Sequence, residues 1–503
     1  MTRSDDLSKI YSGSRVAKNT IYNLLGYGLP LIIAVVLIPP LIKGLGEERF
    51  GILNLAWVVI GYFSFFDFGI GRTLTKIVSE KIGLNKTEEI PGIFWTSFFL
   101  MLVISLIGTL VLIFFSPSLV YNFFNISKEL QQESINTFYV LALSLPIVTT
   151  TAGLRGVLEA YQKFGIINII RIILGVFTFL GPLICLAFTQ SLFWIVIFLT
   201  LIRIVVWILY LVQCFKVNSS IKREFKLDSG LIKPVLKLSG WMTVSNIVGP
   251  LITYLDRFII GAVISAVAIT YYTTPYEVVT KLLLVPGALT GVLFPAFSST
   301  HLRNPEITKK LFIRGVKFIF ILLYPIIIIL ITFAYEIMDL WLGKIFAEES
   351  TLVMQFLAIG VLLNSIAYIP FTYLQGIGKP KIPALIYLIE LPFYLVTMWL
   401  AIIQWGIEGA AMVWLLRIVL DTIVLFMFSS KVISLHRKSI NLFNVILVLF
   451  ITILSQIFYL VNVPNLKIIS VLVFLITFGF ISLKYILSDD ERNFLISTTR
   501  TFI

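Results

Sequence analysis

The sequence predicts an all-α polytopic membrane protein with fourteen transmembrane helices, on three observations. Hydrophobic residues make up 58% of the chain, charged residues 13%, and the mean hydropathy is +0.99. A soluble domain carries about 25% charged residues. Fourteen apolar stretches reach the length of about 20 residues that a helix needs to cross a bilayer. Too little polar sequence is left to form the outside of a soluble helical protein.

The predicted spans follow one another with short connections. They cover residues 20–42, 50–71, 92–116, 136–158, 166–189, 192–214, 241–263, 268–298, 318–342, 351–374, 383–403, 409–430, 442–462 and 466–487. The first is of full span length and is not followed by a small-residue cleavage pattern, so we expect it to be retained. The basic connection 215–240 separates an N-terminal six-helix lobe (1–214) from a C-terminal six-helix lobe (241–430), and a final helix pair with a tail occupies 431–503.

Lys and Arg concentrate in the N-terminal tail and in every second connection, with six in 215–240 and five in 299–317. Such an excess marks cytoplasmic loops. Both termini are therefore predicted to be cytoplasmic, which requires an even number of spans. The net charge of +13 is then explained by topology and by contact with anionic lipid headgroups. No nucleic-acid partner is expected, because no soluble module combines basic and aromatic residues.

A weak internal repeat appears as three matches that share one constant offset along the chain. The matched pairs are Pro30 with Pro250, Gly71 with Gly291, and Leu154-Arg155-Gly156 with Leu374-Gln375-Gly376. Six spans separate the copies, so the repeat would be parallel, with a substrate site between the two lobes. A chance match is the alternative.

Prolines interrupt spans 1, 7 and 8 at Pro30, Pro250 and Pro286. Each removes one backbone hydrogen bond, and the freed carbonyl needs a partner that hydrocarbon does not supply. These helices either bend around a gate or simply pack in a kinked form, since proline is common in spans. The concentration in three spans favours gating.

Charged residues inside spans point to function, because each costs at least about 2.5 kcal/mol at the bilayer centre. Asp256, Arg257, Glu277 and Lys281 lie deep in spans 7 and 8, where we expect them to line a cavity. A static salt bridge between the helices is the alternative. Arg155 and Glu159, four residues apart near the end of span 4, are expected to reach the interface as a structural pair.

Arg203 and Arg417 lie mid-span in the last helix of each lobe. A guanidinium suits phosphate because its planar fork donates two hydrogen bonds, but a structural tie is equally open. Glu390 has no basic residue within a helical turn. We therefore expect it to carry a coupling proton, with a simple interhelical hydrogen bond as the alternative.

No group typical of catalysis, of a metal site or of a cofactor site is found in the sequence. Cys185 and Cys214 are predicted near opposite membrane faces, and His301 and His436 lie in separate loops. There is also no Walker motif. Transport without a cofactor is therefore favoured over enzymatic chemistry.

Four short motifs resemble those of the bacterial polysaccharide flippases (Wzx-type O-antigen translocases) of the multidrug/oligosaccharidyl-lipid/polysaccharide exporter superfamily. The motifs are Gly46-Glu47-Glu48-Arg49-Phe50-Gly51-Ile52-Leu53, Phe66-Asp67-Phe68-Gly69-Ile70-Gly71, Asp256-Arg257-Phe258-Ile259-Ile260-Gly261 and Leu293-Phe294-Pro295-Ala296-Phe297-Ser298. Within the second motif, Asp67 is expected to accept backbone N–H groups near the loop that begins at Arg72, while Gly69 permits close approach.

The resemblance implies an alternating-access flippase in the bacterial cytoplasmic membrane. Its cargo would be an undecaprenyl-diphosphate-linked glycan, such as an O-antigen repeat unit. Polysaccharide polymerases or glycosyltransferases would be its partners. A multidrug exporter of the same fold and an integral-membrane transferase or polymerase are the alternatives.

Overall fold

The computed structural model describes residues 13–46, 49–50, 52–53, 56–57, 67–123, 126–264, 266–433, 464–488 and 491–492. Within these ranges the secondary structure is helical, with no strand. Nine helices of the described part are long and apolar enough to cross a membrane, or ten if the bent first helix is included. The chain is therefore an all-α, multi-pass membrane protein, as predicted. The predicted span 442–462 and most of 50–71 lie outside the described residues.

In the N-terminal half, defined here as 13–217, six α-helices have both ends within the described residues. They are α1 (Gly13–Leu45), α2 (Ile70–Gly83), α3 (Ile90–Ser118), α4 (Lys128–Ala160), α5 (Phe164–Leu186) and α6 (Leu192–Val217). Helix α4 packs against α2, α3 and α6, and α1 packs against α5. Helix α1 bends by 40° near Val35, where Pro39 has no N–H for the Val35 carbonyl.

In the described part of the chain, a short helix precedes the C-terminal half, defined here as 229–433, and a further helix follows it. These elements are α7 (Ser219–Arg223), α8 (Ser229–Val263), α9 (Ala266–Thr280), α10 (Leu284–Thr300), α11 (Pro305–Thr332), α12 (Ala334–Leu342), α13 (Lys344–Gly376), α14 (Lys381–Ile433) and α15 (Pro464–Ile481). Helix α8 begins inside the segment 215–240 that the sequence analysis treats as a linker. The Asp228 side chain caps it by accepting the Gly230 N–H.

The eighth predicted span is not one helix. A 3₁₀ turn at Lys281–Leu283 separates α9 from α10. Pro286 has no N–H to offer the carbonyl of Leu282, so the α-helical ladder is interrupted there and a tighter turn takes its place. The sequence signal for a broken helix at Pro286 therefore has a local cause in the backbone.

Helix α14 is a hairpin of two legs. Its 53 residues would extend for about 80 Å as one helix. The backbone instead turns at Trp405 and at Gly406, where φ is +58°, a value that favours glycine. A Cβ at Gly409 would lie 2.3 Å from the carbonyl oxygen of Ala401, so the two legs meet directly after the turn. They correspond to the predicted spans 383–403 and 409–430.

The helix order repeats between the two halves at a nearly constant spacing. Helices α1 and α8 begin at equivalent positions of the two halves, α5 and α14 do so as well, and α4 and α13 end at equivalent positions. The packing repeats too. A Cβ at Gly156 would lie 2.9 Å from the Gly71 carbonyl, and one at Gly376 would lie 3.1 Å from that of Phe294. This correspondence agrees with a parallel duplication of a six-helix unit.

Helix α15 adheres to the C-terminal half. The rings of Phe474 and Phe478 pack on Tyr324 of α11, with centroids 5.6 and 5.2 Å away. Lys467 forms an ion pair of 2.6 Å with Glu336.

Candidate functional site

A cavity of about 810 Å³ lies between the two halves, within the range of about 300–1,000 Å³ usual for ligand sites. Its walls come from α1, α2 and α4 on one side, and from α8, α10, α13 and α14 on the other. The charged lining residues are Asp67, Arg72, Arg155, Glu159, Arg417 and Asp421. The aromatic lining residues are Tyr27, Phe294, Tyr368, Phe371 and Tyr387.

The turn before α2 forms part of the N-terminal wall. Phe68 and Gly69 have φ values of +46° and +70°, and the Asp67 Oδ1 accepts the Gly69 N–H at 2.8 Å. This turn aims Arg72 at the opposite half, where its guanidinium donates to Gln375 Oε1 at 3.0 Å.

Helix α4 adds a second guanidinium to the same wall. Arg155 pairs with Glu159 at 3.4 Å, and its side chain is 44% exposed. The sequence analysis expects this pair at the membrane interface, in a structural role. The structure places both residues on the cavity, because the end of α4 faces α2 and the C-terminal half.

The α14 hairpin supplies the C-terminal charges. The Arg417 guanidinium lies 5.5 Å from the centre of the Tyr394 ring. Asp421 is 3% exposed. Glu390, on the first leg, lies within electrostatic range of Arg417 and Asp421 on the second. Glu390 therefore does have a basic neighbour, which the hairpin brings close although the sequence around Glu390 contains none.

The four charges predicted in spans 7 and 8 form a separate cluster and are not among the residues that line this cavity. Asp256 is fully buried and accepts the Tyr272 hydroxyl at 2.7 Å. Arg257 pairs with Glu277 at 3.1 Å, and Lys281 pairs with Glu277 at 2.9 Å. The Lys281 side chain is 74% exposed.

The other predicted site residues occupy packing positions. Arg203 is 9% exposed and donates to the Leu199 carbonyl at 3.2 Å within α6. Pro30 packs against Gly175 of α5, where a Cβ would lie 2.4 Å from its ring. Pro286 is buried in α10. Pro250 lies within α8, but its side chain is outside the described part.

At one end of the cavity the halves touch. The Ser239 hydroxyl of α8 donates to Thr73 of α2 at 2.9 Å, and Arg303 donates to the Gly83 carbonyl at 3.0 Å. A Cβ at Gly83 would lie 2.1 Å from the Ser299 carbonyl. This is the end whose loops carry the Lys and Arg excess, so the cavity is closed on the side predicted to be cytoplasmic.

One titratable group sits in this contact outside the spans. Burial lowers the pKa of His301 below its ordinary value of 6.5, and the charges of Lys379 and Lys76 lower that pKa further. Glu80 raises the pKa of His301 and is the smallest of these influences. Lys76 and Glu80 both belong to the N-terminal half, so part of the effect depends on the contact between the halves. In the described ranges no three His, Cys, Asp or Glu residues are grouped as a metal site would need.

Comparisons with known proteins agree with this architecture. The profile of the family described as polysaccharide biosynthesis protein matches residues 16–301. The chain is 30% identical over 424 residues to a Shigella flexneri protein named as an O-antigen transporter, covering 84% of this chain and all of that protein. It is 25% identical over 218 residues to a Haloferax volcanii protein named as a low-salt glycan biosynthesis flippase, which is 42% of this chain and 46% of that protein.

The fold also matches solved structures. A crystal structure of MATE in the bent conformation superposes with a TM-score of 0.75 at 14% identity, over 86% of this chain and 98% of that one. Identity at this level establishes a shared fold alone. The profile covers more than half of the chain, and the Shigella flexneri relative is matched over its full length. The chain therefore belongs to the polysaccharide biosynthesis protein family and has the fold of the MATE transporters.

Proposed function

We propose that this protein is a flippase that moves an undecaprenyl-diphosphate-linked oligosaccharide, such as an O-antigen repeat unit, across the bacterial cytoplasmic membrane. The observation that carries the proposal is the cavity between the two halves, with Arg72, Arg155 and Arg417 in its walls. The names of the two relatives support the same cargo class.

The lining suits such a headgroup. A guanidinium donates paired hydrogen bonds to a phosphate and keeps its charge at any physiological pH. Tyr368, Phe371 and Tyr387 line the cavity and offer apolar surface against which a sugar ring can lie. The polyprenyl tail would stay in the bilayer, where its apolar surface is already solvated by lipid.

Transport would proceed by alternating access, with one half rocking against the other about the cavity. The contact at Gly83 and Ser299 supports a state in which the predicted cytoplasmic end is closed. Opening that end and closing the other would expose the headgroup site to each side in turn. We propose coupling to an ion gradient, with Glu390 as the candidate carrier.

The finer topology belongs to this proposal. We infer fourteen crossings in two six-helix lobes plus a final pair, both termini in the cytoplasm, and contact of the basic loops with anionic lipids. Polysaccharide polymerases or glycosyltransferases would be partners that make or consume the cargo. The chain itself would perform no covalent chemistry.

Reconstitution tests the proposal. Purified protein in liposomes should move a fluorescent polyprenyl-diphosphate-linked oligosaccharide to the opposite leaflet, measured by protection from a membrane-impermeant quencher. Arg417→Gln should lower the rate at least tenfold. The matched control is Lys344→Gln, which removes a cation from an exposed pair with Glu348 outside the cavity. It should match wild type.

Two other outcomes would contradict the proposal. Extension of the labelled glycan would indicate a polymerase or transferase. Uptake of a cationic dye without movement of the lipid-linked glycan would indicate a multidrug exporter.

A further inference from the structure

The two legs of α14 hold a group of buried polar atoms without hydrogen-bond partners among the described residues. The atoms are Glu390 Oε2, the Tyr394 hydroxyl, Arg417 Nε and Asp421 Oδ1. An unsatisfied buried polar atom costs about 1–3 kcal/mol, and more when the group is charged. Native structures keep such atoms where something else meets the requirement.

The backbone places these four side chains together. Glu390 and Tyr394 are four residues apart on the first leg, as are Arg417 and Asp421 on the second, so each pair shares one helix face. The backbone turns at Gly406, and the two faces meet where the Arg417 guanidinium lies 5.5 Å from the centre of the Tyr394 ring. Arg417 and Asp421 also line the cavity, so the group is open to whatever occupies it.

Among the described residues, the neighbouring helices add one further carboxyl group near Arg417, that of Asp256, and both of its oxygens already accept hydrogen bonds. Asp256 lies on α8 within electrostatic range of Arg417, and it accepts the hydroxyl of Tyr272 on α9 at 2.7 Å. Tyr276 of α9 faces Tyr394, and Tyr368 of α13 faces Tyr387. Arg257, which follows Asp256 in α8, is engaged with Glu277 at 3.1 Å. Among Glu390, Asp421 and Arg417, two carboxylates therefore share one guanidinium.

That composition favours a proton over a metal ion. With both carboxylates ionised, the three side chains carry a net charge of −1, which is costly to bury. One proton brings them to neutrality without adding a cation beside Arg417. The proton would come from water in the cavity and form an O–H bond on one carboxylate oxygen. No other covalent bond would change.

We propose that Glu390 and Asp421 share one exchangeable proton, and that this proton frees the charge of Arg417 for the diphosphate of the cargo. This inference rests on the proposed function. When the pair is fully ionised, its charge opposes an anion at Arg417. When the pair holds the proton, one of those negative charges is gone. Proton and anion therefore bind with positive cooperativity, and each raises the affinity for the other by the same factor.

The positive coupling between proton binding and anion binding has a consequence for how transport is driven. The proton accompanies the headgroup instead of exchanging for it. An inside-negative membrane potential would then drive the remaining negative charge outward.

Anion binding at several pH values tests the inference. The probe is a synthetic farnesyl-diphospho-N-acetylglucosamine, because a diphosphate diester lacks the second phosphate ionisation near pH 6. Its own charge therefore stays constant across the series. Binding to the full chain in nanodiscs would be measured by calorimetry between about pH 5.5 and 8.5, in buffers of different ionisation heat. One linked proton allows at most a tenfold change of Kd per pH unit.

We expect the Kd of wild type to rise with pH, with an uptake approaching one proton per bound probe. In Glu390→Gln/Asp421→Asn the Kd should vary less than twofold over the same range. His301 is present in both proteins. A loss of the pH dependence of Kd in the double variant would therefore be due to Glu390 and Asp421. The matched control is Glu408→Gln, which removes an acid of the same hairpin beside its turn and should keep the wild-type slope.

The outcomes separate the two proposals. A pH-independent Kd in wild type, or a slope that survives the double substitution, would overturn the shared proton while leaving an anion-binding flippase intact. Failure of wild type to bind the probe at any pH would overturn both. If the double variant is not monodisperse, Glu390→Gln and Asp421→Asn are measured singly. Each leaves one carboxylate beside Arg417 and therefore has the charge of the protonated wild-type pair. Each should bind the probe about as tightly as wild type does at low pH, with less than a twofold change of Kd over the range. Wild-type curves in both would refute the proposal.

Discussion

At Gly69 the backbone of one half of the molecule lies against the backbone of the other. Its φ is +70°, and a Cβ there would lie 2.9 Å from the Ser239 carbonyl oxygen of α8. For a residue with a side chain, this left-handed conformation costs about 1–2 kcal/mol. The same turn holds Asp67 through the Gly69 N–H, so this glycine fixes both the carboxylate and the contact between the halves.

Replacement of Gly69 by alanine should therefore destabilise the protein. We expect Gly69→Ala to lower the free energy of unfolding by at least about 1 kcal/mol, from the backbone conformation alone. Thermal unfolding in detergent would measure the change. Gly240→Ala is the control, since Gly240 lies in α8 with no atom within 4 Å of a Cβ. A helical glycine replaced by alanine should stabilise slightly. Equal melting temperatures for the two variants would contradict this account.

The two mid-span arginines differ in what surrounds them. We expect Arg417→Cys to react with a charged methanethiosulfonate reagent, because Arg417 lines the cavity. Arg203→Cys should stay unreactive, because Arg203 is buried on the face of α6 that packs within its own half. Both would be made in a background with Cys185 and Cys214 replaced by serine, and labelling would be followed by mass spectrometry. Comparable labelling rates would refute the assignment of Arg417 to the cavity.

At the scale of helices, local backbone chemistry could be predicted from the sequence and pairing between distant segments could not. Pro286 indicates the break in span 8, and the structure has a 3₁₀ turn at Lys281–Leu283. The proximity of Glu390 to Arg417 depends on a turn that lies between them, and no helical periodicity connects residues so far apart in the chain. The position of Arg155 on the cavity could not be predicted, because the sequence does not tell which side of a helix end faces the other half.

The contact between helix ends around His301 should respond to pH. The pKa of His301 is lowered by burial and by Lys379 and Lys76. Closure therefore favours the neutral ring of His301. The stability that this ring adds to the closed contact is complete above the ordinary pKa of about 6.5, and it is lost as the pH falls through the lowered pKa. Acidification should open this end.

Spin labels at Glu88 and Lys310, exposed positions on opposite halves, would report the distance. We expect it to increase below about pH 6.5 in wild type. In His301→Gln the distribution should not change over that range. An unchanged pH response in His301→Gln would show that another group controls the contact.

At the scale of the whole molecule, helix ends in the two described halves recur at a nearly constant spacing, and the sequence carries a faint trace of the same repeat. The constant offset that joins Pro30 to Pro250 and Gly71 to Gly291 is close to the spacing between equivalent helix ends of the two halves. The charged residues do not follow the repeat. Arg203 is buried in the packing of one half, whereas Arg417 faces the cavity from the other. The architecture was therefore more predictable than the site. Helix packing imposes the same constraints on both halves, whereas the charged residues at equivalent positions can differ.

Linking the halves should stop transport. Thr73 and Ser239 have hydroxyl oxygens 2.9 Å apart, a separation compatible with a disulfide between cysteines at these positions. We expect oxidised Thr73→Cys/Ser239→Cys to lose flipping and a reductant to restore it. The control pair, Thr300→Cys/Thr308→Cys, has oxygens 2.7 Å apart within the C-terminal half. Its disulfide should leave transport unchanged, and loss of transport in both would contradict rocking of one half against the other.

The closed end brings main chain against main chain at Gly69 and Gly83, while the cavity wall is made of side chains. Mutational drift should act on these two surfaces very differently. Almost any substitution at these two glycines adds a Cβ for which the contact between the halves has no room. A saturation library selected for transport should therefore be depleted of substitutions at both positions. The aromatic and polar wall can change one side chain at a time without altering how the ends meet. New cargo preferences could therefore evolve in the wall while the contact that closes this end stays unaltered.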